Sequence, residues 1–383
     1  MASKQRAVAV LLHALATVPD RRVARTRAHK LVDLLAIALL TLINGGKGWE
    51  DMEEFATDRE GWLRGFLELP GGAPSADTFR RVFEALRPSE FSAALAMIVK
   101  DLVADLDGKV VAIDGKTLRG SFRDRTGTSA LHVVSAWVVE ESLSLGALTV
   151  DAKDNEITAI PELIKLLDLS GATVTIDAMG CQKAIANAIL EGGADYLLAL
   201  KDNHPTLCTE VQGLFARLEE VGFDDASVDV CEVSGKRAHG RAERRTVFVT
   251  SDLSGLSAVA GWRNLVSVAM VRREREVNGK TSIEDAYYLT SLAADAETIE
   301  RRVRAHWGIE NTLHWTLDVV LGEDASRVRS RNGATNLASL RKLTVSLLKR
   351  ETSQGAKSMA RKQKRAGWVP DYAFDILRGI SAE

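Results

Sequence analysis

Three carboxylates stand at positions where the surrounding pattern turns them toward chemistry. Asp114 closes the apolar run Val110-Val111-Ala112-Ile113 in VVAIDGKTLRGS, and Asp177 closes a second run in ATVTIDAMG. Glu310 falls among Ile299, Val303, Leu313, Leu317 and Val320, whose helical spacing predicts a face directed into the protein. His306 shares that face, and His314 and Asp318 follow Glu310 at i+4 and i+8. If the three acids converge, two like charges about 4 Å apart repel by roughly 4 kcal/mol at an effective dielectric of 20. A divalent cation offsets that repulsion. Mg²⁺ favours hard oxygen ligands and leaves positions for water or substrate phosphate. Two such ions serve phosphoryl transfer, one at the attacking oxygen and one at the leaving oxygen. His306 and His314 could then orient the scissile phosphate or assist proton transfer.

The stretch around Asp114 also contains Gly115-Lys116-Thr117, the tail of a P-loop. That motif needs a glycine five residues before its Gly-Lys pair, and Val110 stands there. A β-branched residue does not take the positive φ that such a loop requires. Residues 110–113 read instead as a short buried strand that ends at Asp114.

Composition narrows the class. The chain has 383 residues, 46% hydrophobic and 27% charged, as expected of a globular protein with two or three domains. Its net charge of −2 means that any nucleic-acid binding must come from local patches. Cys181, Cys208 and Cys231 form no CxxC pair, which points to a reducing cytosol and argues against a cysteine-built zinc site. The N-terminus does not read as a signal peptide. The longest apolar stretch, residues 31–43, contains Asp33 and falls far short of the roughly 20 residues that cross a bilayer. It reads as a buried helix, and no membrane association is expected.

The elements that must position the acids follow from periodicity. Residues 1–105 read as a helical N-terminal domain. SADTFRRVFEAL is capped by Ser75 or Asp77 and carries Thr78, Arg80 and Arg81 in its early turns. It reads either as a recognition helix or as an ordinary bundle helix. From Lys109 to Leu200 the order is β-β-β-α-β-α-β, a mixed sheet covered by helices, with Asp114 ending the first strand and Asp177 the fourth. Residues 201–292 read as a β-rich insertion with an Asn278-Gly279 hairpin and a basic loop, SGKRAHGRAERR. One long helix is predicted from Asp295 to Leu321, then a second helix to about 350, and residues 351–383 read as a basic tail. Trp307 and Trp315 are expected to pack in a core or groove. Cys181 reads as a small buried residue, and Tyr287 and Tyr288 as strand residues.

IDGKTLRGS, TIDAMGCQK and HWGIENTLHWTLDVVLGEDASRVR, in that order, resemble the H-repeat-associated transposases of bacterial insertion sequences. These are DDE transposases with an RNase H-like core, and the resemblance covers most of the chain. It implies an α/β fold with domains at 1–105 (DNA binding), 106–200 and 293–350 (core), 201–292 (insertion) and 351–383 (tail). It implies Asp114, Asp177 and Glu310 as the metal-binding triad, with Mg²⁺ as the ion and Mn²⁺ substituting. It further implies cleavage of the element's ends and strand transfer into target DNA. The partners would be double-stranded DNA, as terminal inverted repeats and target, and a second protomer at synapsis, in the cytoplasm on the nucleoid. Many related transposases carry a tyrosine, an arginine and a lysine around the glutamate. Here His306 stands for the arginine and Leu317 for the lysine. Lys116, Arg119, Arg304, His306, His314, Arg327 and Arg329 are therefore the candidates for phosphate contact. Two other readings stay open: a helical zinc site of His306, Glu310 and His314, and a silent DNA-binding regulator.

Overall fold

A computed structural model describes residues 2–380 except 101, 102, 104, 122–129, 151–155, 224–226, 236–240, 354 and 356. Six helices come first: α1 (Ala2–Ala16), α2 (Leu31–Ile43), α3 (Trp49–Asp58), α4 (Glu60–Leu63), α5 (Ala76–Ala85) and α6 (Pro88–Lys100). Strands β1 (Val110–Leu118), β2 (Leu131–Val138) and β3 (Leu143–Val150) follow. Then come α7 (Glu156–Lys165), β4 (Thr173–Ile176), α8 (Lys183–Glu191), β5 (Asp195–Leu200) and α9 (Pro205–Glu220). Strands β6 (Val228–Ser234), β7 (Arg241–Thr250), β8 (Ser267–Val277) and β9 (Lys280–Thr290) lead to α10 (Ala296–Gly308). A π-helix (Ile309–His314), α11 (Trp315–Val319), α12 (Arg331–Arg350), α13 (Met359–Trp368) and α14 (Tyr372–Leu377) complete the chain.

These elements form two compact units. One comprises residues 106–114 and 156–308, the other 1–105, 115–155 and 309–383. β1 is common to both.

In the unit built on 156–308 the strand order is β1-β4-β5-β9-β8-β7-β6. β1, β4 and β5 are parallel and the rest antiparallel. The apolar runs of β1 and β4 are buried throughout, as parallel strands covered on both faces require. α10 lays Ala296, Ile299 and Val303 against Leu197, Val247, Val249, Ala269 and Val271. The region expected as an insertion does not stand apart: β9 pairs with β5 from Leu197↔Thr290 to Leu200↔Tyr287 and so extends the same sheet. The buried ends of β8 and β9 supply the apolar surface that joins them to it. Asn278 and Gly279 both take positive φ, the two-residue turn that matches strand twist. Residues 236–240 of the basic loop lie outside the described residues, and the part from Arg241 onward belongs to β7.

The other unit is mainly helical. α2 is buried from Leu34 to Ile43, and Asp33 at its start accepts a bond from Leu69 N at 3.0 Å. α5 is capped by Ser75, which accepts from Thr78 N. The strand order here is β3-β2-β1. Together with β4 and β5 parallel to β1, it is the RNase H-like arrangement that the resemblance implies. α12 packs Ala334 and Ala338 on Leu118, Leu131 and Val133. The expected basic tail is a folded part of this unit. Tyr372, Ala373, Ile376 and Leu377 of α14 are buried against neighbouring helices, an apolar face that the lysine- and arginine-rich composition before it masked.

Candidate active site

Asp114 and Asp177 each follow the last residue of a paired run. β1 and β4 are parallel and in register from Val110↔Thr173 to Ile113↔Ile176, so the two aspartates follow the last paired residues side by side. Only Asp177 follows a strand end: β1 runs on to Leu118 with β2 on its other side, so Asp114 lies within its strand and does not end it as the sequence suggested. Neighbouring strands lie about 4.8 Å apart. Asp177 turns directly into a 3₁₀ turn (Ala178–Gly180), where its Oδ1 accepts from Met179 N at 3.1 Å and Gly180 N at 3.3 Å. Its side chain is exposed.

Three residues support this end of the sheet, and sequence reasoning singled out only one of them. Asn203 Nδ2 donates to Ala178 O at 2.6 Å and to Cys181 O at 3.4 Å. His204 Nε2 donates to Cys181 O at 2.6 Å. Both lie just past β5, at the carboxyl end of a parallel strand, and that location was the available signal. His306 Nδ1 bonds Thr175 Oγ1 at 3.0 Å, two residues before Asp177. Burial lowers the pKa of His306, against the charge of Asp177, so the imidazole is neutral near pH 7. A further carboxylate went unnoticed: Glu156, at the start of α7, has its pKa raised by burial and then by the charge of Asp177.

Glu310 is held in a different way. The predicted continuous helix is interrupted: α10 ends at Gly308 and a π-helix carries Glu310. Its i→i+5 bonding adds a residue to the turn and breaks the helical period that placed Glu310 inward. Ile309 and Leu313 are buried instead, and Glu310 is exposed. The same shift turns Trp315 outward, where it is 56% exposed, contrary to the core packing expected of it. Trp307 keeps a packing role, with the Arg273 guanidinium 3.8 Å from its ring centroid.

A buried charge cluster anchors the segment that follows the π-helix. Lys116 Nζ lies 2.5 Å from Asp318, 3.0 Å from Glu323 and 3.3 Å from Asp324. Burial opposes the Lys116 charge, but Glu323 and Asp318 outweigh it and raise its pKa. A Cβ on Gly120 would stand 1.9 Å from Ser326 O, so the backbones touch there and only glycine fits. Lys342 lies behind this cluster, its Nζ buried and without a hydrogen-bond partner among the described residues. Burial pushes its pKa down to about 8. His314 is pushed down to about 3 by burial, then by Lys342 and Lys116.

These findings revise the phosphate contacts expected from sequence. The charge of Lys116 is matched inside the protein, and His306 and His314 are uncharged. Arg304, Arg327 and Arg329 are exposed, as is Arg119, 3.8 Å from Asp324. The helical zinc reading loses its spacing, because the π-helix breaks the i, i+4 periodicity that would set His306, Glu310 and His314 on one face. Two aspartates side by side on neighbouring strands do suit Mg²⁺, which takes one or two carboxylates and completes its shell with water and phosphate. Burial pushes Cys181 up to about 12 and raises Tyr287 and Tyr288, so none of them is a ready nucleophile.

Comparison with known proteins shows the family. A family model described as "Transposase DDE domain" matches residues 105–347, and one described as "DDE_Tnp_1-associated" matches 12–98. The chain is 35% identical to a putative transposase, YncI, of Escherichia coli O157:H7, covering 97% of this chain and 95% of that one. It is 33% identical to the H repeat-associated putative transposase YhhI of Escherichia coli K12, covering 96% and 98%. An uncharacterized protein from the dhlA 3′ region of Xanthobacter autotrophicus is 41% identical over 73% of this chain and 93% of its own length. A piggyBac transposase synaptic complex with hairpin DNA covers 94% of this chain and 78% of that one, at TM-score 0.43 and 10% identity, a likeness too slight to define a fold.

Proposed function

Because this chain belongs to the H-repeat family of DDE transposases, we propose that it cuts the ends of its own insertion element and joins them to target DNA. Asp114, Asp177 and Glu310 are the residues that would hold the divalent metal, Mg²⁺ with Mn²⁺ as substitute. Bound there, the metal supplies Lewis-acid activation of the attacking oxygen and charge stabilisation at the leaving oxygen. The rest falls to the chain. The turn after Asp177, braced by Asn203 and His204, keeps that carboxylate aimed out of the sheet. Arg119, Arg304, Arg327 and Arg329 are the exposed cations available to phosphates. The helical region matched at 12–98 binds the terminal repeats, and two protomers bring two ends together. The protein works on nucleoid DNA in the cytoplasm. No described helix is long and apolar enough to cross a membrane.

The observation that carries this reading is the Ile113↔Ile176 register, which sets two aspartates side by side just past the paired residues of two parallel strands. The test is a DNA fragment bearing the gene's own flanks, incubated with protein and Mg²⁺ or Mn²⁺. End-cleavage and strand-transfer products are expected with either ion and none under chelation. Absence of products from every flanking sequence with both ions would contradict it.

A further inference from the structure

Helix α13 has the sequence MARKQKRAGW and contains no acidic residue. Its inner side is fixed by contacts. Lys362 Nζ donates to Leu348 O at 2.6 Å and to Glu351 O, so it closes the last carbonyls of α12. Gln363 Nε2 donates to Leu42 O of α2 at 2.8 Å, and Ala366 is fully buried. Arg59 donates to Gly367 O at 2.9 Å and ties the end of α13 to the helices of the N-terminal region.

The outer side carries exposed charge. Arg361, Lys364 and Trp368 follow one another at spacings of three and four and form one line. Arg361 and Lys364 are exposed, and among the described residues no carboxylate lies within ion-pair reach of either. Several other arginines of this unit are matched: Arg64 by Glu60, Arg80 by Asp77 and Glu84, and Arg378 by Asp375. Trp368 is 71% exposed, and the Lys364 ammonium lies 5.1 Å from its ring centroid. Two unmatched cations in line with an uncovered indole suit a ligand that offers spaced anions and a flat apolar edge. The sugar-phosphate backbone of a DNA duplex offers both.

We propose that the outer face of α13 is a DNA-binding surface, with Arg361 and Lys364 on backbone phosphates and Trp368 against the sugar edge. This rests on the reading of the chain as a DNA transposase and adds a surface outside both the paired aspartates and the region matched at 12–98. Because α13 is bonded to α2 and to Arg59, DNA held on it is held by the same rigid helical body.

The test measures binding of the full-length chain to a labelled duplex by fluorescence anisotropy across salt, without metal. Each phosphate contact contributes about 0.9 to the slope of log affinity against log salt. Arg361→Gln with Lys364→Gln is expected to flatten the slope by about 1.8 and to weaken binding about tenfold near 0.1 M salt. Trp368→Ala is expected to weaken binding with the slope unchanged, since an uncharged contact releases no counterions. Lys165→Gln with Lys280→Gln removes the same charge elsewhere on the surface and is expected to leave the slope alone. All these side chains are exposed, and matched circular dichroism melts confirm folding. Wild-type binding with an unchanged slope in the Arg361/Lys364 variant overturns this proposal and leaves the transposase reading intact. So does an unchanged slope accompanied by loss of self-association in sedimentation, which would assign the face to a second copy of the chain. No binding of any duplex by the wild type overturns both.

Discussion

Asp114 and Asp177 follow the paired residues of neighbouring parallel strands, set by backbone pairing and, at Asp177, by a short turn that Asn203 and His204 hold. Glu310 stands on a π-helix, and the segment after it is anchored by Lys116 among Asp318, Glu323 and Asp324. The first arrangement uses backbone hydrogen bonds and needs no buried charge. The second needs a buried ammonium and carboxylates that each depend on the other. A sheet edge can therefore present an acid at little cost to the fold. A helix distorted to present one must be tied down from outside, and the tie is where it is vulnerable.

The largest effect should separate chemistry from stability. Glu310→Gln is expected to lower end cleavage by about a thousandfold or more, some 4 kcal/mol at the transition state, with an unchanged melting temperature because the side chain is exposed. Cleavage within tenfold of wild type would remove Glu310 from the metal site. Next comes the tie. Lys116→Met leaves Glu323, 2% exposed, as an uncompensated buried carboxylate, so urea denaturation should read a loss of about 3–5 kcal/mol. Asp177→Asn, on an exposed turn, should lose far less. Equal losses for the two variants would erase the contrast.

Lys342 gives a smaller effect of opposite sign. Its folded pKa is about 8 against an ordinary 10.5. Below about pH 8 the folded state carries the full cost of a buried ammonium. Between about 8 and 10.5 the unfolded chain holds more protons, so wild-type stability from this group rises with pH. Lys342→Met is therefore expected to stabilise by roughly 3 kcal/mol at pH 7, with the gain shrinking toward pH 10. A variant no more stable at pH 7 would mean that the ammonium has a partner in solution. Smallest is Asn203→Ala, which loosens the turn beside Asp177. Mn²⁺ affinity should fall about tenfold, as for other groups that orient a metal ligand, while the Lys116 cluster is untouched. Unchanged affinity would make Asn203 a loop brace only.

What was legible in the sequence follows the same division. Val110–Ile113 and Thr173–Ile176 are apolar runs cut off by a charge, and such runs have few alternatives to buried strands; the second ends at its charge, while the first runs on through Asp114 to Leu118. The Ser75 cap and the Asn278-Gly279 turn are equally local. Glu310 was found through its motif and neighbours, but its exposure was misjudged. The π-helix is accompanied by a cluster whose lysine lies 202 residues before Asp318, and no window of periodicity spans that distance. Glu156 and Asn203 reach the aspartates from separate elements and carry no pattern of their own. α13 and α14 were missed because a basic composition hid the buried side that Lys362, Gln363 and Ala366 share.

Asp114 and Asp177 are the residues on which the proposed chemistry depends most. The most direct measurement compares wild type and Asp177→Asn on DNA bearing the gene's own flanks, scoring 3′-hydroxyl release in Mg²⁺ and in Mn²⁺. The account predicts cleavage by the wild type in both ions, none by the variant in either, and equal duplex binding by the two proteins without metal. Cleavage by Asp177→Asn at the wild-type rate would contradict it and put the chemistry elsewhere in the chain.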